Sequence, residues 1–116
     1  MSDYHKEIII EKEDCKYKIY ISISDGNYYN PEYHYRINFI EYLPKRKRKW
    51  LRLTDEWRDS LEYRKARREG KREEWSLNKL LEYFTEEEIT TAMNALYEEV
   101  IRDLKPDIKN NLAVNI

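Results

Sequence analysis

Several kinds of protein are excluded by what this chain has little of. It contains one cysteine and two histidines, so Cys15 has no internal disulfide partner, and together with His5 and His34 it offers neither a CxxC nor an HxxxH spacing for zinc. No apolar run exceeds the three residues Ile8, Ile9 and Ile10, whereas a membrane-spanning helix needs about 20. The opening MSDYHKE has no apolar stretch of the kind a secretory signal requires. A cytoplasmic location is expected, nucleoid-associated if the source is archaeal or bacterial. With two glycines and three prolines in 116 residues there is no flexible linker, and one domain is expected over residues 1–105, followed by a C-terminal tail at 106–116. There is no Gly-rich phosphate loop and no serine or cysteine nucleophile with a base at a recognisable spacing. The chain is therefore read as a non-enzyme without cofactor, metal or small-molecule substrate.

What the chain has in abundance is charge and tyrosine. Charged residues make up 39% of it, tyrosine occurs eleven times, and the mean hydropathy is −1.01. The wealth of Lys, Glu, Arg, Ile and Tyr resembles a heat-adapted composition. The net charge of −1 conceals a gradient. Residues 1–42 carry five Lys/Arg against eight Asp/Glu, residues 43–74 thirteen against seven, and residues 75–116 four against eight. A basic middle between acidic flanks points to a polyanion partner, because the local patch sets the potential that a phosphate meets.

Hydrophobic periodicity changes once along the chain. Residues 16–24 (KYKIYISIS) alternate strictly, with Tyr17, Ile19, Ile21 and Ile23 on one side, as in a half-buried strand. DGNYYNPE at 25–32 carries turn chemistry, and YHYRINFIEY at 33–42 resumes alternation with Tyr35, Ile37 and Phe39 inward. Shorter strands are predicted at 5–12 and at 48–53, the latter with Leu51 and Leu53 inward. From Thr54, a predicted N-cap, the period becomes helical: one helix to Glu69 stopped by Gly70, a short one at 76–84 behind Ser76, and a longer one at 86–104 behind Thr85 and ended by Pro106. The class is α+β, a four-stranded antiparallel sheet (β-β-β-β) followed by two or three helices packed on one face.

If the helices cover the inward side, strand parity fixes what the open side presents. It reads Lys16, Lys18, Tyr20 and Ser22, then His34, Arg36, Asn38 and Tyr42, then Arg48, Trp50 and Arg52, interrupted by Ile40. Glu41 falls on the inward parity, so the open side carries no acid from Lys16 onward. The loop Lys45, Arg46, Lys47, Arg48, Lys49 extends the positive surface. Cations to hold phosphates and flat rings to stack bases on one pleated face are what single-stranded nucleic acid binders use. The expected partner is single-stranded DNA, with RNA as the alternative, bound without strong sequence preference and in preference to duplex. The candidate site is Lys16, Lys18, Tyr20, Arg36, Tyr42, Lys45, Arg46, Lys47, Arg48, Trp50 and Arg52.

The stretch YRINFIEYLPKRKRKWLRLTDEWRDSL at 35–61 resembles the last two strands and first helix of the positive cofactor four family of transcription coactivators. The likeness lies in Ile40-Glu41-Tyr42, Pro44-Lys45-Arg46-Lys47, Leu51-Arg52-Leu53 and Trp57. It implies a curved four-stranded sheet followed by a helix, a dimer, binding of single-stranded or melted DNA, and binding roles for Lys45, Arg46, Lys47 and Arg52. The chain is also similar to the archaeal single-stranded DNA-binding proteins of the Thermoproteales. A homodimer is expected independently, from a free sheet edge and from apolar positions Met93, Leu96 and Tyr97 in excess of what one sheet face can cover. The rival reading is a protein–protein module such as a small viral or mobile-element inhibitor, supported by Tyr28, Tyr29 and Tyr33 and by the acidic residues Glu82, Glu86, Glu87, Glu88, Glu98 and Glu99.

Overall fold

The structure, a computed structural model, describes residues 3–24, 34–100 and 107–116. The predicted turn at 25–32, the tyrosines at 28, 29 and 33, the side chains of residues 34 and 97–99, and the helix end at 101–106 lie outside the described residues or side chains. The elements run β1 (Asp3–Glu11), β2 (Cys15–Ser24), β3 (His34–Pro44), β4 (Leu51–Arg52), α1 (Leu53–Arg58), α2 (Leu61–Arg68), α3 (Arg72–Tyr83), α4 (Glu86–Val100), α5 (Ile108–Asn111) and β5 (Leu112–Val114). The four expected strands lie in sequence order and pair antiparallel, with helices after them.

Two alternating strands, β2 and β3, form the centre of the sheet. Ile19, Ile21, Ile23, Tyr35, Ile37 and Ile40 are fully buried, against Leu53, Trp57, Leu80, Phe84, Ile89, Ala92, Met93 and Leu96 from the helices. An aromatic cluster closes one end of this layer. Tyr17 meets Phe84 edge-on at 5.1 Å and Tyr83 at 6.3 Å, and Trp57 lies 5.3 Å from Tyr83. Met93 and Leu96 are buried within one copy, and the side chain of residue 97 lies outside those described. The outer edge of β1 is unpaired among the described strands.

The expected parity fails at one place. Tyr20 pairs with Phe39 but Ile21 pairs with Ile37, so Asn38 is an extra residue in β3. A bulge shifts the period by one, and every side chain beyond it changes face. Phe39 and Glu41, expected inward, therefore stand on the open face. Ile40, expected as an interruption of that face, is buried, and Tyr42 turns toward the helices. The bulged backbone is held by Thr54, whose hydroxyl accepts from the Ile40 N–H at 3.4 Å. That is why Thr54 is buried inside α1 rather than capping it; the cap position is Arg52, which offers no side-chain bond.

Helix boundaries follow local chemistry where a cap exists. Thr85 and Glu88 exchange bonds, Glu88 N–H to the Thr85 hydroxyl at 3.1 Å and Thr85 N–H to the Glu88 carboxylate at 2.9 Å, a reciprocal cap that starts α4. Gly70 takes φ 72° beyond the end of α2, a left-handed position open to glycine without a Cβ penalty. The single helix expected over 54–69 is two, because the Ser60 hydroxyl donates to the Trp57 carbonyl at 2.7 Å and accepts from the Tyr63 N–H at 3.2 Å. Ser76 is not a cap either. It sits buried within α3 and donates to the Arg72 carbonyl at 2.8 Å. The strand expected at 48–53 shrinks to Leu51–Arg52, with Leu51 42% exposed. Residues 112–114 of the tail join the sheet as β5, parallel to β3, with Ile108 buried beneath.

Candidate nucleic-acid interface

The open face is built on β2 and β3, whose inward isoleucines fix the opposite parity outward. From β2 it receives Lys16, Lys18 and Tyr20, from β3 Arg36, Phe39 and Glu41, and from the β4 side Trp50 and Arg52. The rings and cations here are already in contact. Phe39 stacks on Tyr20 with centroids 4.0 Å apart and planes 25° from parallel, and the Arg52 guanidinium lies 3.9 Å from the Phe39 centroid. Two groups that close cannot share one side of a ring, so Phe39 is sandwiched between them. Lys18 places its ammonium 4.4 Å from the Trp50 ring, a cation–π contact that holds the half-buried indole against β2. Trp50 and Arg52 thus occupy the face that parity predicted. Arg36 is exposed at the far end beside Ser22.

Tyr42 does not belong to this surface. Its ring packs with the core, and a bond to Glu56 first and burial second push its phenol up to about 12. The same bulge that removes Tyr42 brings in an acid. The Tyr20 hydroxyl donates to Glu41 at 2.9 Å, and burial first, then that bond, raise the phenol to about 12, so it remains a neutral donor throughout the physiological range. On β1, Glu7 stands opposite Tyr20, and Glu11 pairs with Lys16 at 3.2 Å. The face is therefore not free of acids, and its positive potential is concentrated toward one end. Glu41→Gln keeps an acceptor for Tyr20 while deleting a charge, and one unit charge at contact distance is worth about 1 kcal/mol in water. It is expected to tighten binding of a single-stranded oligonucleotide roughly two- to fivefold at low salt, as read by fluorescence anisotropy.

The positive end is the loop between β3 and β4. Lys45, Arg46, Lys47, Arg48 and Lys49 are all exposed, and none of them is in an ion pair among the described residues. The loop is shaped by Lys47 N–H donating to the Pro44 carbonyl at 3.1 Å, with Arg46 at φ 69°. It is tied to the β1–β2 turn by Lys45 N–H donating to the Asp14 carbonyl at 3.1 Å. Between the two segments lies a hollow of about 250 Å³ that Lys12, Lys16, Lys45, Arg46 and Lys47 line together with Glu13 and Asp14. Lys12 is engaged elsewhere, 2.7 Å from Glu88. The basic middle of the sequence is split in space: Arg64, Lys65, Arg67 and Arg68 are on α2, which buries Tyr63 and Ala66 and packs on α3 in the helical layer.

The bulge is what the sequence reading missed, together with Phe39 and Glu41. Its signal is present in the apolar positions 35, 37, 40 and 42, two alternating pairs out of phase by one residue. Among the described residues no three His, Cys, Asp or Glu cluster as a metal site requires, and no helix is long and apolar enough to cross a membrane. No family model, curated protein or solved structure matches the chain.

Proposed function

We propose that the protein binds single-stranded nucleic acid, DNA foremost, along the loop Lys45–Lys49 and the adjoining β2–β3–β4 face. The observation that carries this reading is the loop itself, five consecutive exposed cations without ion-pair partners among the described residues, continuous with Lys18, Trp50 and Arg52. A surface cation that no carboxylate neutralises is available to a phosphate, and release of condensed counterions drives the association. The aromatic groups beside it favour a strand whose bases are unpaired, since a duplex hides the ring faces that would stack on Trp50. Phe39, enclosed on both sides, stiffens the face and is not itself a platform. The resemblance of residues 35–61 to the positive cofactor four family points the same way. An open sheet face bearing Glu7, Glu11 and Glu41 is also compatible with a protein partner, but five lysines and arginines in one loop, none of them ion-paired among the described residues, favour a polyanion.

Trp50→Ala separates stacking from charge. Base–aromatic stacking is worth about 1–3 kcal/mol per base. The substitution is therefore expected to weaken binding to an oligothymidine roughly tenfold, with the dependence of log K on log salt unchanged. Unchanged affinity would place Trp50 outside the interface.

A further inference from the structure

The sheet has a notch. The edge of β3 facing away from β2 is shared by two short strands, β5 at Tyr35–Ile37 and β4 at Glu41–Tyr42, so residues 38–40 pair with neither. Thr54 satisfies the Ile40 N–H from the side, and Asn115 N–H reaches the Ile37 carbonyl at 2.8 Å. A hollow of about 220 Å³ opens there, lined by Asn38, Phe39, Arg52, Asp55, Arg58 and Asn115 among others. Asn38, Phe39 and Arg52 also belong to the open sheet face, so the hollow opens from the same surface as the interface.

Its chemistry is that of a base-reading site. The Arg52 guanidinium carbon lies 3.9 Å from the Phe39 centroid and the side chain is exposed and lines the hollow, so the side away from Phe39 and the N–H groups are what a ligand in the hollow meets. Guanidinium planes stack unpaired bases in single-strand recognition. A base on Arg52 would extend the existing column of Tyr20, Phe39 and Arg52 by one layer. Around it are donors from Arg58, carboxamides from Asn38 and Asn115, and one acceptor-only carboxylate, Asp55. The Asn38 amide donates to Ser22 at 3.2 Å, which leaves Asn115 as the exposed and adaptable carboxamide. Arg58 and Asp55 face each other at 3.6 Å with side chains 55% and 49% exposed, a long surface pair of small net value that a ligand can exchange.

We propose that this notch is a base subsite with preference for guanine. Guanine presents the O6 and N7 acceptors that arginine grips in bidentate fashion, and its N1–H and N2 amine are donors for a carboxylate such as Asp55. Adenine would turn its N6 amine toward the arginines, and a pyrimidine offers a smaller stacking area. The inference rests on the single-strand reading above and adds to it a sequence preference that the basic loop cannot supply, since phosphate contacts position a strand without reading it.

The test uses the full chain and oligothymidine 12-mers carrying one central guanine, adenine, 7-deazaguanine or abasic position, titrated by fluorescence anisotropy. The guanine strand is expected to bind about tenfold more tightly than the adenine strand, with 7-deazaguanine losing most of the gain. Arg58→Gln and, independently, Asn115→Ala should bring the guanine-to-adenine ratio toward one while the variants melt like the parent. Equal affinity for guanine and abasic strands would overturn the subsite and leave the single-strand reading standing. Full preference retained in both variants would overturn its placement in the notch. Failure to bind any of the four strands would overturn both.

Discussion

Ile40→Ala is expected to destabilise the protein by about 2–5 kcal/mol, the range for deleting a fully buried aliphatic side chain. Ile40→Lys should abolish the cooperative transition, because a buried unpaired ammonium costs several kcal/mol against a total stability of about 5–15 kcal/mol for an ordinary domain. Ile40 has 0% exposure and lies opposite Ile19 in the core. Its neighbour provides the contrast. Phe39→Lys puts a cation on the open face beside Glu41 and forfeits the stack with Tyr20 and Arg52, so it should keep a cooperative transition and lose about 1–2 kcal/mol. Urea denaturation followed by far-UV circular dichroism measures all three. Uninterrupted alternation along β3 demands the reverse ranking, with Phe39→Lys unfolding the chain and Ile40→Lys tolerated. The comparison therefore decides on which face Glu41 and Tyr42 lie.

Replacing Lys45, Arg46 and Lys47 together by Ala should have the largest effect on binding. All three are exposed and in no ion pair among the described residues, so the loss is expected in phosphate contacts alone. Each lost contact removes about 0.7 from the slope of log K against log salt for a single strand. Three contacts flatten the slope by about 2, so between 50 and 200 mM salt the wild type should lose about fifteenfold more affinity than the variant. The loss should be similar for every sequence, because phosphates carry no sequence information. The fold should be intact, and Arg46→Gly alone should be neutral or slightly stabilising, since φ 69° is strained for any side chain and free for glycine. A triple variant that keeps the wild-type slope would remove the loop from the interface.

The strict alternation of β2 and the switch of period after Leu53 made the sheet and the helical half legible from residues alone. The same holds for the Thr85 start and the Gly70 stop, where one residue's local chemistry decides. The misreadings share a physical cause: packing against elements distant in sequence overrides what the local pattern suggests. Thr54 and Ser76 have the right chemistry for caps, but tertiary packing buries them, one bonded to β3 and the other to its own helix. Ser60 splits a continuous helical pattern because Trp57 and Tyr63 dock against different neighbours, Tyr83 for one and Trp75 for the other. β5 is three residues long, too short for a period to register, and exists because β4 covers so little of the β3 edge. Of the candidate site, Lys18, Trp50 and Arg52 could be placed by parity because they lie outside β3, and the loop by its run of five basic residues. Tyr42 lies beyond the bulge and went to the wrong face.

Direct competition between a single strand and its own duplex tests the central claim most simply. A labelled 20-mer single strand bound to the wild-type protein in 50 mM salt is displaced by unlabelled single strand or by the same sequence as a blunt duplex. The bases of the duplex are withdrawn from Trp50, while its phosphates remain available to the loop. The single strand should therefore compete about tenfold more effectively, the value of one stacked base. Equal or better competition by the duplex, or no binding of the labelled strand at that salt, would contradict the assignment of this face to single-stranded nucleic acid.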